Sequence, residues 1–339
     1  MHEIEALAAD ERTARMILAT VCEPGDELTG RLLELVGARG AVAVVTGAAP
    51  PDELDPVAGE LWARRAALRL DPDRVRELLD DTARHDLVVL TPDDARWPTG
   101  LQALRRRAPI ALWVKGDGSL LTAPITSRIT FTGSRAATSY GEQVAVDLAG
   151  GAARDGRQVV SGGGYGIDAQ AHRGALAAGG PTIVVLAGGL DRPYPVGNQE
   201  LLARAAASGL LVSEAPPGMV PSRTRFVQRA RLMAALSDAV VVVEASYRSG
   251  ALTTAEHALR LGRAVGAVPG PVTSAASAGC HQLLREHAAT LITGYDDVRA
   301  LLDPDPAAPT PLLGRSGARS PANGQSSPPN HDRHVGPAL

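Results

Sequence analysis

A chain of 339 residues is long enough for two domains and a tail, and a hydrophobic content of 45% gives it a sizeable core. Aromatic residues make up only 3%, so that core is aliphatic, and a net charge of −3 excludes a globally basic nucleic-acid binder; any basic surface has to be local. Two distant cysteines support neither a disulfide framework nor a zinc site, and no apolar run approaches the ~20 residues of a membrane span.

The N-terminus carries acids where a signal peptide would carry a basic region, so a cytoplasmic protein with no membrane segment and no cofactor is expected. Positive charge is almost wholly arginine, Lys115 being the only lysine. The plain reading of that bias is a GC-rich genome, and arginine also brings planar, bidentate phosphate contacts.

Residues 1–60 read as a small helical domain. Glu11 to Val21 and Leu28 to Val36 carry apolar residues at helical spacing, and Gly37 and Gly40 are expected to break the second segment. A leucine-rich helix followed by a glycine turn fits either a helix-hairpin-helix that grips a DNA backbone or an ordinary bundle. Residues 61–126 read as a connector packing on the main domain, with helical stretches at Leu61 to Leu70 and Asp73 to Leu79 and a strand-like run from Asp86 to Leu90. The apolar patch Ile110 to Val114 is expected to dock on the main domain.

From residue 127 to 302 strand and helix signals alternate. Strands are expected at 128–132, 157–161, 181–187, 210–214, 238–244, 264–268 and 289–292, with helices at 140–154, 167–178, 198–208, 226–236, 251–262 and 280–288. Continuous apolar strands such as Ala239 to Val243 suit a parallel sheet buried on both faces. The fold class is therefore α/β: a doubly wound, mainly parallel, Rossmann-like sheet. Residues 303–339, rich in Pro, Ser, Gly and Asn without periodicity, read as a disordered tail.

Ligands of such a sheet bind beyond the carboxyl ends of its strands. The apolar run Ile129 to Thr132 leads into Gly133-Ser134-Arg135, and Ser139 with Glu142 three residues later has capping-box spacing, so an anion site is expected at that helix start. The next strand ends in Ser161-Gly162-Gly163-Gly164-Tyr165-Gly166-Ile167-Asp168, whose glycines allow close backbone approach to a ligand. Asp168 and His172 lie one helical turn apart, as an acid/base couple or as a cap with a packed histidine. A third loop, Gly188 to Pro195, holds Tyr194. Four arginines in nine residues, Arg223 to Arg231, surround Phe226; Arg225 and Arg229 are expected to share a helix face as a backbone-contacting patch with a stacking platform. Ser249 and Gly250, leading to Thr253, form another anion cradle at a helix start. A rim of glycine loops and arginines suits a polyanion.

In this order the motifs resemble the DNA-processing protein A family (DprA, also called Smf). Its pattern appears here as Gly133-Ser134-Arg135, Ser161 to Leu176, Leu190 to Asn198, Ser213 to Gly218, Phe226 to Ser237, Val243 to Ala255 and Val268 to Gly270. The resemblance implies a Rossmann-like domain that binds single-stranded DNA, dimerises and helps load the RecA recombinase during DNA uptake, with no catalysis. It also implies a sterile-alpha-motif-like fold for the N-terminal helices. By position it makes Arg135 a phosphate contact, puts Ser161 to Gly166 along the DNA pocket and sets Arg229 and Arg231 beside it. Three departures mark a divergent paralogue. Gly163-Gly164-Tyr165 stands where the family usually has Leu-Ala and a basic residue, Arg229-Ala230-Arg231 where it has Arg-Asn-Arg, and Gly279-Cys280-His281 where it has Gly-Thr/Ser-Asn.

The DNA or phosphate contacts expected are thus Gly133, Ser134, Arg135, Ser161, Gly162, Gly164, Tyr165, Gly166, Asp168, Arg225, Phe226, Arg229, Arg231, Ser249, Gly250 and Thr253. The alternative is an enzyme, a Rossmann-like nucleotide phosphoribohydrolase of the lysine-decarboxylase-like group. Ser249-Gly250 with Thr253 and Glu256 echoes the end of that group's motif, without its paired glycines and proline. A structural nucleotide-binding protein would need a ribose-binding acid after the second strand, and no convincing one is present.

Overall fold

The computed structural model describes residues 2–303. The tail expected at 303–339 therefore lies, but for its first residue, outside the described residues. The chain begins with five helices: α1 (His2–Leu7), α2 (Glu11–Val21), α3 (Glu27–Thr46), α4 (Pro56–Ala67) and α5 (Pro72–Arg84). Asp10, Asp26, Asp55 and Asp71 each cap the helix that follows by accepting a backbone N–H. Ile17, Leu18, Leu32, Val42, Trp62 and Val75 pack into one core, which therefore draws on residues well beyond 60. The break expected at Gly37 and Gly40 is a kink inside α3: Gly37 alone leaves helical geometry, at φ 66°, and the helix resumes. The carboxylate of Glu11 accepts the freed N–H groups of Ala38 and Arg39, so an internal anion fills the hairpin that a DNA phosphate would occupy.

Two strands follow, β1 (Val88–Leu90) and β2 (Leu112–Gly116), and then the alternating part of the chain. Its strands are β3 (Arg128–Gly133), β4 (Gln158–Ser161), β5 (Thr182–Leu186), β6 (Leu210–Ser213), β7 (Ala239–Glu244), β8 (Ala264–Ala267) and β9 (Thr290–Leu291). Its helices are α6 (Ser139–Arg154), α7 (Ile167–Ala177), α8 (Gln199–Ser208), α9 (Arg223–Leu236), α10 (Gly250–Arg260), α11 (Ala278–Arg285) and α12 (Tyr295–Leu302). Each expected strand and helix of this part is present within a few residues; α12 is additional.

The nine strands form one sheet in the order β1-β2-β6-β5-β4-β3-β7-β8-β9. From β6 to β9 neighbours run parallel, while β1 and β2 add antiparallel at one edge, so the Ile110 to Val114 patch extends the sheet itself. Alternate side chains point to opposite faces. Ile129, Phe131, Val241 and Val243 pack under α6, α7 and α12; Val160, Ile183 and Val185 pack under α9, and Val240 and Val242 under α10 and α11. Both faces are covered, which is why the strands read as unbroken apolar runs.

The chain winds outward from β3 to β6, then returns through α9 to lay β7 on the other side of β3. This reversal is the topological switch point, and it sets the carboxyl ends of β3 and β7 beside a crevice. A register shift between Thr132 and Gly133 leaves Gly133 opposite Glu244, the last pair before the chain leaves the sheet.

Candidate nucleic-acid interface

The Gly133–Ser134 turn is fixed on two sides. The Ser134 N–H donates to the Glu244 carbonyl at 2.7 Å, and the Ser134 carbonyl accepts from Ile167 N–H at 3.1 Å. Gly166, at φ 67°, presses so close to the Ser134 and Arg135 carbonyls that a Cβ would collide with them. The loops after β3, β4 and β7 are thereby joined.

Arg135 leaves this platform exposed to solvent and lays its guanidinium 4.2 Å above the Phe226 ring. Arg229, one turn further along α9, sits 5.3 Å from the same ring, and Tyr194 meets it edge-on with centroids 6.2 Å apart. A half-buried phenylalanine therefore holds two guanidinium groups at the switch point.

Arg229 is otherwise committed inward. It pairs with Asp168 at 3.6 Å and donates to the Gly162 carbonyl. Asp168 also accepts from the Thr132 hydroxyl at 3.1 Å and from Gly164 N–H at 3.3 Å. Burial lowers the Arg229 pKa, and the Arg135 charge acts in the same direction against the Asp168 carboxylate. Arg229 and Asp168 thus brace the glycine loop. Ser161 is buried, its hydroxyl given to the Phe131 carbonyl, and the carbonyls of Gly163 and Gly164 both accept from the Asn198 side chain. Only Tyr165 projects from this loop into solvent. Asp168 and His172 are not a couple: the His172 ring is bonded to Thr182 at 2.7 Å instead.

The helix starts differ from expectation. α6 is capped by Thr138, whose side chain accepts Gly141 N–H, while the Glu244 carboxylate takes the Thr138 N–H and hydroxyl. Ser139 and Glu142 therefore form no capping box, and the anion expected at α6 is supplied from β7. The start of α10 is open. Ser249 caps it through Ala251 N–H, nothing lies within 4 Å of where a Gly250 Cβ would stand, and Thr253 follows on the cleft side. Such an N-terminus favours anions. Together with Arg135, Arg223, Phe226 and Arg248 it lines a cleft of about 650 Å³.

Two expected contacts lie elsewhere. The helical period of α9 sorts its residues into two stripes. Arg223, Phe226 and Ala230 face the cleft, whereas Arg225, Gln228 and Arg231 face the N-terminal part. Arg225 bonds the Val220 carbonyl at 2.8 Å and Glu23 at 3.3 Å. Arg231 is fully buried in a bidentate pair with Glu214, at 2.7 and 2.6 Å, and bonds the Arg107 carbonyl. Arg223 and Arg248, absent from the expected set, are exposed and enter no ion pair among the described residues. The signal for Arg223 was its place three residues before Phe226, on the same stripe. Glu256, the acid of the phosphoribohydrolase-like motif, is exposed and pairs with Arg260 at 3.4 Å.

The family model described as DNA recombination-mediator protein A matches residues 88–303. The chain belongs to the DNA recombination-mediator protein A family. The matched stretch holds the complete sheet and every loop of the cleft. Among its relatives is a DNA processing protein DprA of Mycobacterium tuberculosis (strain ATCC 25618 / H37Rv), 49% identical over 251 residues. That match takes in 71% of this chain and 64% of the relative's length, so the chain spans less than two-thirds of it. The X-ray structure of DprA from Streptococcus pneumoniae superposes with a TM-score of 0.68 at 30% identity, over 84% of this chain and 95% of that one. A Helicobacter pylori DprA structure, described for its unique single-stranded DNA binding mode, gives a TM-score of 0.57 at 30% identity over 63% and 96% of the two chains. Within this DNA recombination-mediator protein A fold, no described helix is long and apolar enough to cross a membrane.

Proposed function

We propose that this chain binds single-stranded DNA across the switch-point cleft and acts as a recombination mediator. The observation that carries this is the guanidinium of Arg135 stacked on Phe226 at the mouth of a cleft whose other walls are Arg223, Arg248 and the open start of α10. These groups offer charge and N–H donors to phosphates along an extended rim, and a negative chain crossing them would release its counterions. The Helicobacter pylori relative, named for its single-stranded DNA binding, supports the choice of ligand.

The family's description as a mediator of recombination supports a finer role, which we also propose. The chain would shield incoming single strands during natural transformation and help load a RecA recombinase, working as a homodimer and without a catalytic residue. The test is fluorescence anisotropy of a labelled single-stranded oligonucleotide at several salt concentrations, with a duplex competitor and Arg135→Ala in parallel. Binding that prefers the single strand, weakens with salt and drops at least tenfold in the variant is the expected result. No binding at low salt would overturn the proposal. RecA filament assembly on coated strands and sedimentation of the free protein check the two partners.

A further inference from the structure

The few aromatic residues are distributed unevenly. All three tryptophans and Phe131 are buried, whereas Tyr140, Tyr165, Tyr194 and Tyr247 are exposed. Rings bury large apolar areas and normally sit inside. These four all lie just past the carboxyl ends of β3, β4, β5 and β7, on the rim that holds the arginine cleft. Two have protein partners there: the Tyr140 hydroxyl donates to the Pro269 carbonyl at 2.6 Å, and Tyr194 packs on Phe226.

Tyr165 and Tyr247, 46% and 59% exposed, have no ring partner among the described residues. Tyr165 nevertheless has a built seat. Its phenol end lies over Gly197, where a Cβ would come within 2.7 Å of the hydroxyl oxygen and 3.0 Å of Cε1. The neighbouring Asn198 ties that loop to Gly163 and Gly164 at 3.0 and 2.9 Å, so ring and support move as one body. Tyr247 stands beside Arg248 on the opposite flank. The strand order puts β4 on one side of β3 and β7 on the other, so the loops that carry the two rings leave the sheet on either side of the Arg135 loop.

We propose that Tyr165 and Tyr247 are base-stacking seats on either side of the arginine cleft, which rests on the single-stranded DNA binding proposed above. A DNA strand then runs along the rim, at right angles to the β-strands. Its phosphates lie on Arg135, Arg223 and Arg248, and its flanking bases lie against the two rings. Every base has a π-face, so the seats accept any sequence. A stacked ring adds affinity without releasing counterions, so the seats are insensitive to salt where the arginines are not.

The test compares wild type, Tyr165→Ala, Tyr247→Ala, the double variant, Tyr165→Phe, Tyr247→Phe and Arg135→Ala on oligo-dT at several salt concentrations, then on an oligonucleotide with abasic central positions. Each Ala variant should lose about five- to a hundredfold in dT affinity, the worth of one stacked base. Its salt slope should stay unchanged, it should match wild type on the abasic strand, and the Phe variants should bind as wild type. The double variant should lose the product of the two factors, because the seats share no partner. Arg135→Ala should instead lower the salt slope. Both rings are exposed, so the variants should melt with the wild type. Unchanged dT affinity in the Ala variants, an equal loss on abasic strands, or failure of the Phe variants would overturn the seats while leaving DNA binding standing. Absence of any wild-type binding would overturn the DNA-binding function and the seats with it.

Discussion

Glu244 holds Thr138 by both of its donors: the carboxylate at the end of β7 accepts the Thr138 N–H at 2.8 Å and its hydroxyl at 2.7 Å. The carbonyl of the same residue accepts Ser134 N–H, so one residue clamps both ends of the loop that carries Arg135. Glu244→Gln keeps one acceptor but presents an NH₂ where the other was. It should cost about 1–3 kcal/mol in urea unfolding. Single-stranded DNA affinity should fall toward that of Arg135→Ala, and Thr138→Val should reproduce the effect. Wild-type affinity in Glu244→Gln would show that the loop holds its shape without the clamp.

Arg231 and Glu214 make the opposite point about arginine. Their bidentate pair is buried between α9 and the end of β6, so Arg231→Leu leaves an uncompensated carboxylate in the core. The expected loss is about 3–5 kcal/mol of stability. The slope of DNA affinity against salt should not change, because no phosphate contact is removed. A shallower slope in a folded Arg231→Leu protein would return this residue to the interface.

The contrast explains what could be read from the chain and what could not. Local signals sufficed for the sheet: runs such as Ala239 to Val243 are apolar because both faces are covered, and nothing outside the segment alters that. They also sufficed to single out Arg135 and Phe226, at the end of one motif and the start of another, which the fold brings together in the cleft. The roles of Arg225 and Arg231 depend on Glu23 and Glu214, and which stripe of α9 meets which neighbour is a tertiary fact. The anion site expected at α6 failed in the same way, and at Gly37 so did the DNA-gripping alternative to an ordinary bundle. The N–H groups are there, but Glu11, 27 residues from Ala38, and Glu244, 106 residues from Thr138, already fill them.

His172 gives the fold an acid-sensitive element. The Thr182 hydroxyl donates to the Val159 carbonyl at 3.0 Å, so it accepts from His172 Nδ1–H, and Nε2 is left buried without a partner. Burial, aided by the Arg229 charge, pushes the His172 pKa from 6.5 down to about 3. The folded state thus refuses a proton that the unfolded state accepts. Its contribution is complete above pH 6.5 and is lost as the pH falls toward 3. Across that window the wild type should lose up to about 1.4 kcal/mol per pH unit from this residue. Urea unfolding of His172→Gln should show a shallower acid limb, with His257, lowered to about 4 chiefly by burial, contributing equally to both proteins. Parallel acid limbs would show that His172 does not titrate on unfolding.

Arg223 and Arg248 distinguish a cleft that grips a backbone from one that takes a compact anion. Both stand exposed on its walls, on α9 and on the loop before α10, and the stacked Arg135 lies in the same cleft. A strand crossing it should give each guanidinium its own phosphate, so Arg223→Ala and Arg248→Ala should each lower the slope of log affinity against log salt by about 0.7. The double variant should lower it by the sum, since neither arginine is paired with the other. Arg225→Ala, two residues along α9 but turned toward Glu23, should leave the slope unchanged. Anisotropy titrations of the wild type and the four variants at matched salt concentrations read this directly. If Arg223→Ala and Arg248→Ala weaken binding without changing the slope, they act by shaping the cleft, and the strand's phosphates lie elsewhere on the rim.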